Sequence, residues 1–234
     1  MGKQGELDLT DRGRHGGRRK GAGRKSNKAK GLRTRVSHGA REIVSRHQPL
    51  HITLRVTDAV GRLRRMDTYR AVRRAMFAMI PRTEVFRICQ VSLQSNHVHM
   101  IVEANDRDAL TRGMTSFETS MARRVNAALG RRRGKVFADR FHAEILRSPR
   151  QTRNALGYLF NNWRKHREDR GSALTLDPFA TGRTFDGFVE HRTLHPWTAK
   201  AEPLPVAFAT SWMLTTGWKR GGLLSVNDVP GPRA

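Results

Sequence analysis
Three features of the chain predict an α+β fold. Two segments, 51–56 and 97–104, send successive side chains to alternate faces in the period of a half-buried strand. Two longer segments, 62–80 and 105–130, space their apolar residues at three and four, the period of an amphipathic helix. With β-rich runs at 85–93 and 135–146, the order becomes β-α-β-β-α-β. That order is a split βαβ arrangement: an antiparallel sheet with both helices on one face and the other face open.

In the first strand Ile52, Leu54 and Val56 point to the core, and His51, Thr53 and Arg55 point the other way. The first helix buries Leu63, Met66, Tyr69, Val72, Met76 and Met79 and stops at Pro81, which cannot continue it. Residues 85–93 form the second strand with Val85, Cys89, Val91 and Leu93 inward, and Ser95-Asn96 turns it into the third. There Val98, Met100 and Val102 face the core, while His97, His99, Ile101 and Glu103 share the open face. Asn105 or Asp106 caps the second helix, whose seam of Leu110, Met114, Phe117, Met121, Val125 and Ala128 ends near Gly130.

The fourth strand follows a basic turn and spans 135–146, with Phe137, Phe141, Ala143 and Ile145 on one face and Arg140, His142 and Glu144 on the other. Ser148 caps a third helix that runs to about Arg167, with Pro149 at its first position and Gln151 placed for a capping box. Its buried side is assigned to Ala155, Leu156, Leu159 and Trp163. Gln151, Asn154, Tyr158, Asn162 and Lys165 make an adjacent polar stripe.

The flanks differ in character, so three regions are expected: 1–48, 49–170 and 171–234. Between Arg12 and Arg35 there are eleven basic residues, no acidic ones and no apolar period, so burial cannot offset the entropy of ordering this arm. The arm reads as disordered, and Arg18, Arg19 and Lys20 within it are candidates for phosphate contacts that carry little sequence specificity. After Gly171 the chain turns rich in Pro, Gly and aromatics and reads as an irregular extension, with one short helix near 211–218.

Lys and Arg number 45 against 20 Asp and Glu, a net charge of +25, which points to a polyanionic partner and first of all to nucleic acid. The single cysteine, Cys89, excludes an intrachain disulfide framework or a cysteine-ligated zinc site. No apolar run approaches the ~20 residues that span a bilayer, and the amino terminus lacks a signal core. The expectation is a soluble protein of the reducing cytoplasm, associated with the nucleoid, with no membrane partner. No internal repeat supports a scaffold.

His97 and His99 project the same way from a rigid strand and can share one cation. Asn162 is a candidate further ligand, because it lies one helical turn beyond Tyr158 on the polar stripe. A ligand there brings Tyr158 near a bound phosphate, where positive charge lets a phenol act as nucleophile. Arg55, Arg140 and His142 are candidate DNA contacts from the same polar faces. A catalytically silent RNA- or DNA-binding platform is the competing reading. Such sheets usually expose stacking aromatics, whereas this face carries His51, Thr53, Arg55, His97 and His99.

The segments Asn96-His-Val-His99, Phe137-Ala-Asp-Arg-Phe-His142 and Tyr158-Leu-Phe-Asn-Asn-Trp-Arg-Lys-His166 resemble the motif series of single-tyrosine HUH transposases, and most closely the REP-associated tyrosine transposases. The resemblance runs from about Pro49 to Arg167, and 212–218 also resembles extensions of some of these proteins. It implies a ferredoxin-like catalytic domain that cleaves and rejoins single-stranded DNA, at hairpins formed by palindromic repeats, through a 5′-phosphotyrosine. It implies Tyr158 as nucleophile, His97 and His99 as metal pair, Asn162 as third ligand, and Mg²⁺ (or Mn²⁺) as cofactor. The partner is then single-stranded or hairpin DNA, with no small-molecule substrate, and the active unit a monomer or homodimer. Relatives often hold tyrosine where this chain has Phe141, and several have Asn-Pro where it has Asn162-Trp163. A replication-initiator or relaxase domain uses the same histidine pair and tyrosine and differs in substrate.

Overall fold
Period-two runs become strands where a neighbouring strand can pair with them. The computed structural model describes residues 43–170, 175–190 and 202–228. Its sheet contains β1 (Leu50–Arg55), β2 (Phe86–Leu93), β3 (His97–Ala104) and β4 (His142–Ile145). All pairs are antiparallel and the order is β2-β3-β1-β4, as the split βαβ reading requires.

Two helices, α1 (Met66–Phe77) and α2 (Arg107–Ala128), cover one face. Ile52, Leu54, Val98, Met100 and Val102 of the strands meet Val72, Met76, Leu110, Met114, Phe117 and Met121 of the helices in the main core. Complete burial of such a side chain contributes about 1.5–3 kcal/mol. A Cβ at Gly113 would lie 2.3 Å from the Phe86 ring, so α2 approaches β2 this closely only because position 113 has no side chain. Asp106 is the cap of α2, its carboxylate accepting from Ala109 N at 2.7 Å.

The structure corrects two element boundaries. The expected helix over 62–80 shortens to α1, because Leu63 N donates to Ser95 O and the Arg64 guanidinium donates to Leu93 O, tying 62–64 to the β2–β3 turn. The expected strand over 135–146 shortens to β4. Before it only Phe137 bridges to Val56, and Arg140 N turns back onto the Asp139 carboxylate, a local bond that competes with pairing.

The open sheet face is also corrected. A second core joins Cys89 and Ile101 of the sheet to Ala155, Leu156, Leu159 and Phe160 of α3 (Pro149–Lys165), and to Phe185, Phe188, Trp218 and Leu224 of the carboxyl-terminal segments. A register shift between Ile88 and Gln90 turns Cys89 to this second face, although simple alternation places it inward. Val85 lies outside β2 and is exposed. Gly187 lets the layer close, since a Cβ there would meet the Phe185 and Trp218 rings at 2.4 Å.

Residues after α3 also cover the β2 edge. Leu93 N donates to Phe179 O, Val91 N to the Thr181 hydroxyl, and Ala207 N to Ile88 O, so the otherwise unpaired edge has partners. Near the far end of β3, buried Glu103 accepts from Thr210 N, the Thr210 hydroxyl and Ser211 N, the last at 2.8 Å. These bonds pin the extension, just before the short helix α4 (Trp212–Thr215), to β3.

Arg64 forms a two-point pair with Asp177, both bonds 2.9 Å, while its guanidinium lies 4.7 Å from the Phe179 ring centroid. The Arg64 side chain is 5% exposed and that of Asp177 0%. Burial pushes the Asp177 carboxyl up, and the bond and charge of Arg64 pull it back. Arg64→Met therefore leaves an uncompensated buried carboxylate, and a urea titration should show a loss of about 3–5 kcal/mol. An unchanged midpoint would make the pair dispensable.

Candidate active site
Antiparallel register converts the alternation of each strand into rows across the sheet. On the face toward α3, Ser92, His99, Thr53 and His142 form one row, and Gln90, Ile101, His51 and Glu144 the next. His97 lies opposite Arg55 where β3 begins. The histidine pair thus sits near the middle and one end of a four-strand platform, beneath a helix.

That helix starts where local chemistry dictates. The Ser148 hydroxyl accepts from Gln151 N at 3.1 Å, Pro149 occupies the first turn, and the Gln151 amide oxygen accepts from Arg147 N. The reciprocal bond thus reaches the residue before the cap rather than the cap itself. The Gln151 amide nitrogen donates to Glu144, which joins the first turn of α3 to β4.

Tyr158 packs edge-on against His99, ring centroids 5.1 Å apart, and against His51 at 5.9 Å. The His97 and His99 rings are 4.5 Å apart and nearly perpendicular, and His97 lies 6.1 Å from His166 at the end of α3. Residues 158, 162 and 166 are one turn apart, so the two ring contacts bracket Asn162 along the helix. Lys165 carries its ammonium 5.7 Å from the Tyr158 ring centroid. Within the polar stripe, Gln151 and Tyr158 therefore meet the sheet and Asn162 is buried, while Asn154 and Lys165 are exposed.

Asn162 is 0% exposed, and neither its amide oxygen nor its nitrogen has a hydrogen-bond partner among the described residues. Such an unsatisfied buried group costs about 1–3 kcal/mol. A ligand that used the oxygen would recover part of that cost. Among the described residues no group of three or more His, Cys, Asp or Glu could hold a metal ion. A cation beside the two imidazoles would therefore need neutral oxygens as well, and the Asn162 carbonyl is of that kind, so the residues present fit such a group.

The His97 Nδ1 lies 2.7 Å from the Asn96 amide oxygen. An amide oxygen only accepts, so the His97 proton sits on Nδ1 and its Nε2 lone pair is free to ligate. Burial, and next the charge of His166, push His97 down to about 4, which keeps the ring neutral. His99 is 3% exposed, and its Nδ1 lies 3.1 Å from His51 Nε2 and 3.3 Å from the Thr53 hydroxyl.

Arg55, Arg140 and His142 are exposed, Arg55 and His142 on the same rows as the histidine pair. Arg18, Arg19 and Lys20 lie outside the described residues. Sequence reasoning did not single out His51 or His166 as site residues. The i, i+4, i+8 spacing of Tyr158, Asn162 and His166 was a usable signal for the second. The role of His51 depends on register and had only its face as a signal.

Residues 49–161 match the family model described as transposase IS200 like. Among solved structures, a REP-associated tyrosine transposase bound to a REP hairpin is similar to the chain at 18% identity, covering 74% of this chain and 96% of its own, with a TM-score of 0.49. No curated protein matches. Among the described residues no helix is long and apolar enough to cross a membrane.

Proposed function
We propose that the chain is a single-tyrosine HUH transposase that cleaves and rejoins single-stranded DNA at palindromic-repeat hairpins, with Tyr158 as nucleophile. The observation that carries this reading is the packing of Tyr158 against His99, with buried Asn162 one turn further along the same helix. The catalytic unit is 49–170, with 1–48 as a basic arm and 171–234 as an extension. The hairpin substrate rests on the motif resemblance at 96–99, 137–142 and 158–166.

His97, His99 and Asn162 would hold a divalent cation, Mg²⁺ or Mn²⁺, which when bound supplies Lewis-acid charge to the scissile phosphate. Every other part is protein chemistry. The Tyr158 hydroxyl loses its proton and its oxygen attacks phosphorus, the bond to the 3′ oxygen breaks, and that oxygen leaves as a hydroxyl. The strand is then joined to Tyr158 through its 5′ phosphate. Lys165 lies close enough to favour the developing phenolate and phosphate charge. Attack of a 3′-hydroxyl on the ester reverses the balance, rejoining DNA and freeing Tyr158. Arg55, Arg140 and His142 hold the strand on the exposed part of the platform, and Arg18, Arg19 and Lys20 add phosphate contacts.

Incubation of the full-length protein with single-stranded hairpin DNA from beside its own gene, in Mg²⁺, should give a covalent protein–DNA adduct resistant to denaturation. A protein that binds the hairpin and forms no adduct would favour the silent binding platform. Asn162→Ala should lower cleavage less than loss of either histidine, because water can replace a neutral amide oxygen. Its melting temperature should hold or rise, since the unsatisfied amide is removed. A fall in melting temperature with unaltered cleavage would make Asn162 a structural residue instead.

A further inference from the structure
We infer that His51 is a positioning residue that sets the tautomer and ring plane of His99 and braces Tyr158. This rests on the reading of His97 and His99 as the metal pair and adds a residue to it. His51 stands on β1 opposite Ile101, so its closest approach to His99 is diagonal across the β1–β3 ladder. Its Nε2 lies 3.1 Å from His99 Nδ1 with ring centroids 5.1 Å apart, and its ring also lies 5.9 Å from that of Tyr158. It is 4% exposed, so packing holds it in place.

Between two neutral imidazoles one nitrogen must donate and the other accept. If His99 Nδ1 carries the proton, His51 Nε2 accepts it and the His99 lone pair resides on Nε2, directed away from β1. The opposite assignment leaves the lone pair turned into the sheet. The Thr53 hydroxyl, 3.3 Å from the same Nδ1, rotates to suit either case and does not choose between them. Asn96 provides the parallel, since its amide oxygen holds His97 with the proton on Nδ1. Both candidate ligands thus have Nδ1 engaged by a neighbour, and orienting bonds of this kind are what keep ligand histidines aligned. His51 does not itself complete a metal group, because no set of three such side chains among the described residues could hold an ion.

The test uses full-length protein free of metal. In ¹⁵N-histidine spectra of wild type, His99 should be the Nδ1–H tautomer. An Nε2–H tautomer would overturn the inference without any variant. Manganese titration followed by electron paramagnetic resonance should show His51→Phe, which keeps a ring and loses the acceptor, weakening Mn²⁺ by about 10–100-fold. His51→Gln places an amide oxygen near the lost nitrogen and should recover most of that loss, while hairpin affinity stays as in wild type. A folded His51→Phe that binds Mn²⁺ as wild type does, or a His51→Gln no better than His51→Phe, would defeat the inference. His99→Ala run in parallel separates the two levels. If it binds Mn²⁺ like wild type, the metal-pair reading fails and takes the inference with it; if only His51→Phe is silent, the metal pair stands and His51 is a packing residue.

Discussion
Tyr158→Phe should bind a cognate hairpin as tightly as wild type and form no covalent adduct. The substitution deletes one oxygen and keeps the ring, so the edge contacts to His99 and His51 persist and folding should be little affected. The deleted oxygen is the attacking atom of the proposed reaction, and no neighbour replaces it. The only other tyrosine, Tyr69, is buried in the main core and donates its hydroxyl to Glu202 O at 2.8 Å. Burial raises the Tyr69 hydroxyl pKa further, which makes it a poor substitute. Loss of a covalent nucleophile on this scale is on the order of 10⁴-fold or more in rate. Denaturing gels of labelled hairpin with each protein measure it directly. Adduct formation by the phenylalanine variant would move the nucleophile elsewhere.

His97→Ala and His99→Ala should each stop cleavage in Mg²⁺, and EDTA should do the same to wild type. Either change removes one of the two imidazoles at the candidate centre, and the charge stabilisation a bound cation supplies is several kcal/mol, a loss on the order of 10²–10³-fold. The two variants should differ in stability. His99 is buried between β1 and α3, whereas His97 is only half-buried at the start of β3, so His99→Ala should lower the melting temperature more than His97→Ala. Hairpin binding measured by fluorescence anisotropy controls for folding. Cleavage undiminished in EDTA would remove the metal from the proposal.

The caps and periods were legible in sequence because they are local. Asp106 and Ser148 cap the helices they precede, and the alternation at 97–103 separates Val98, Met100 and Val102 from the two histidines. These features depend on neighbours within about one turn or one pleat. The covered second face was less visible. Residues 171–228 have little periodicity, and their contacts, Glu103 with Thr210 and Arg64 with Asp177, join residues over a hundred positions apart. Cys89 changed faces because a one-residue irregularity in pairing reverses alternation beyond it, and composition carries no mark of that shift.

The sequence by itself determined the β-α-β-β-α-β order, which strand carries the histidine pair, and the spacing that puts Tyr158, Asn162 and His166 on one side of α3. Only the tertiary structure decided that this side lies against the sheet, that the Asn162 side-chain amide is buried without a hydrogen-bond partner among the described residues, and that His51 meets His99. Periodicity belongs to one element and follows from backbone geometry. The meeting of His51 and His99 requires a register between strands whose residues are 48 positions apart, and packing of the whole chain sets that register.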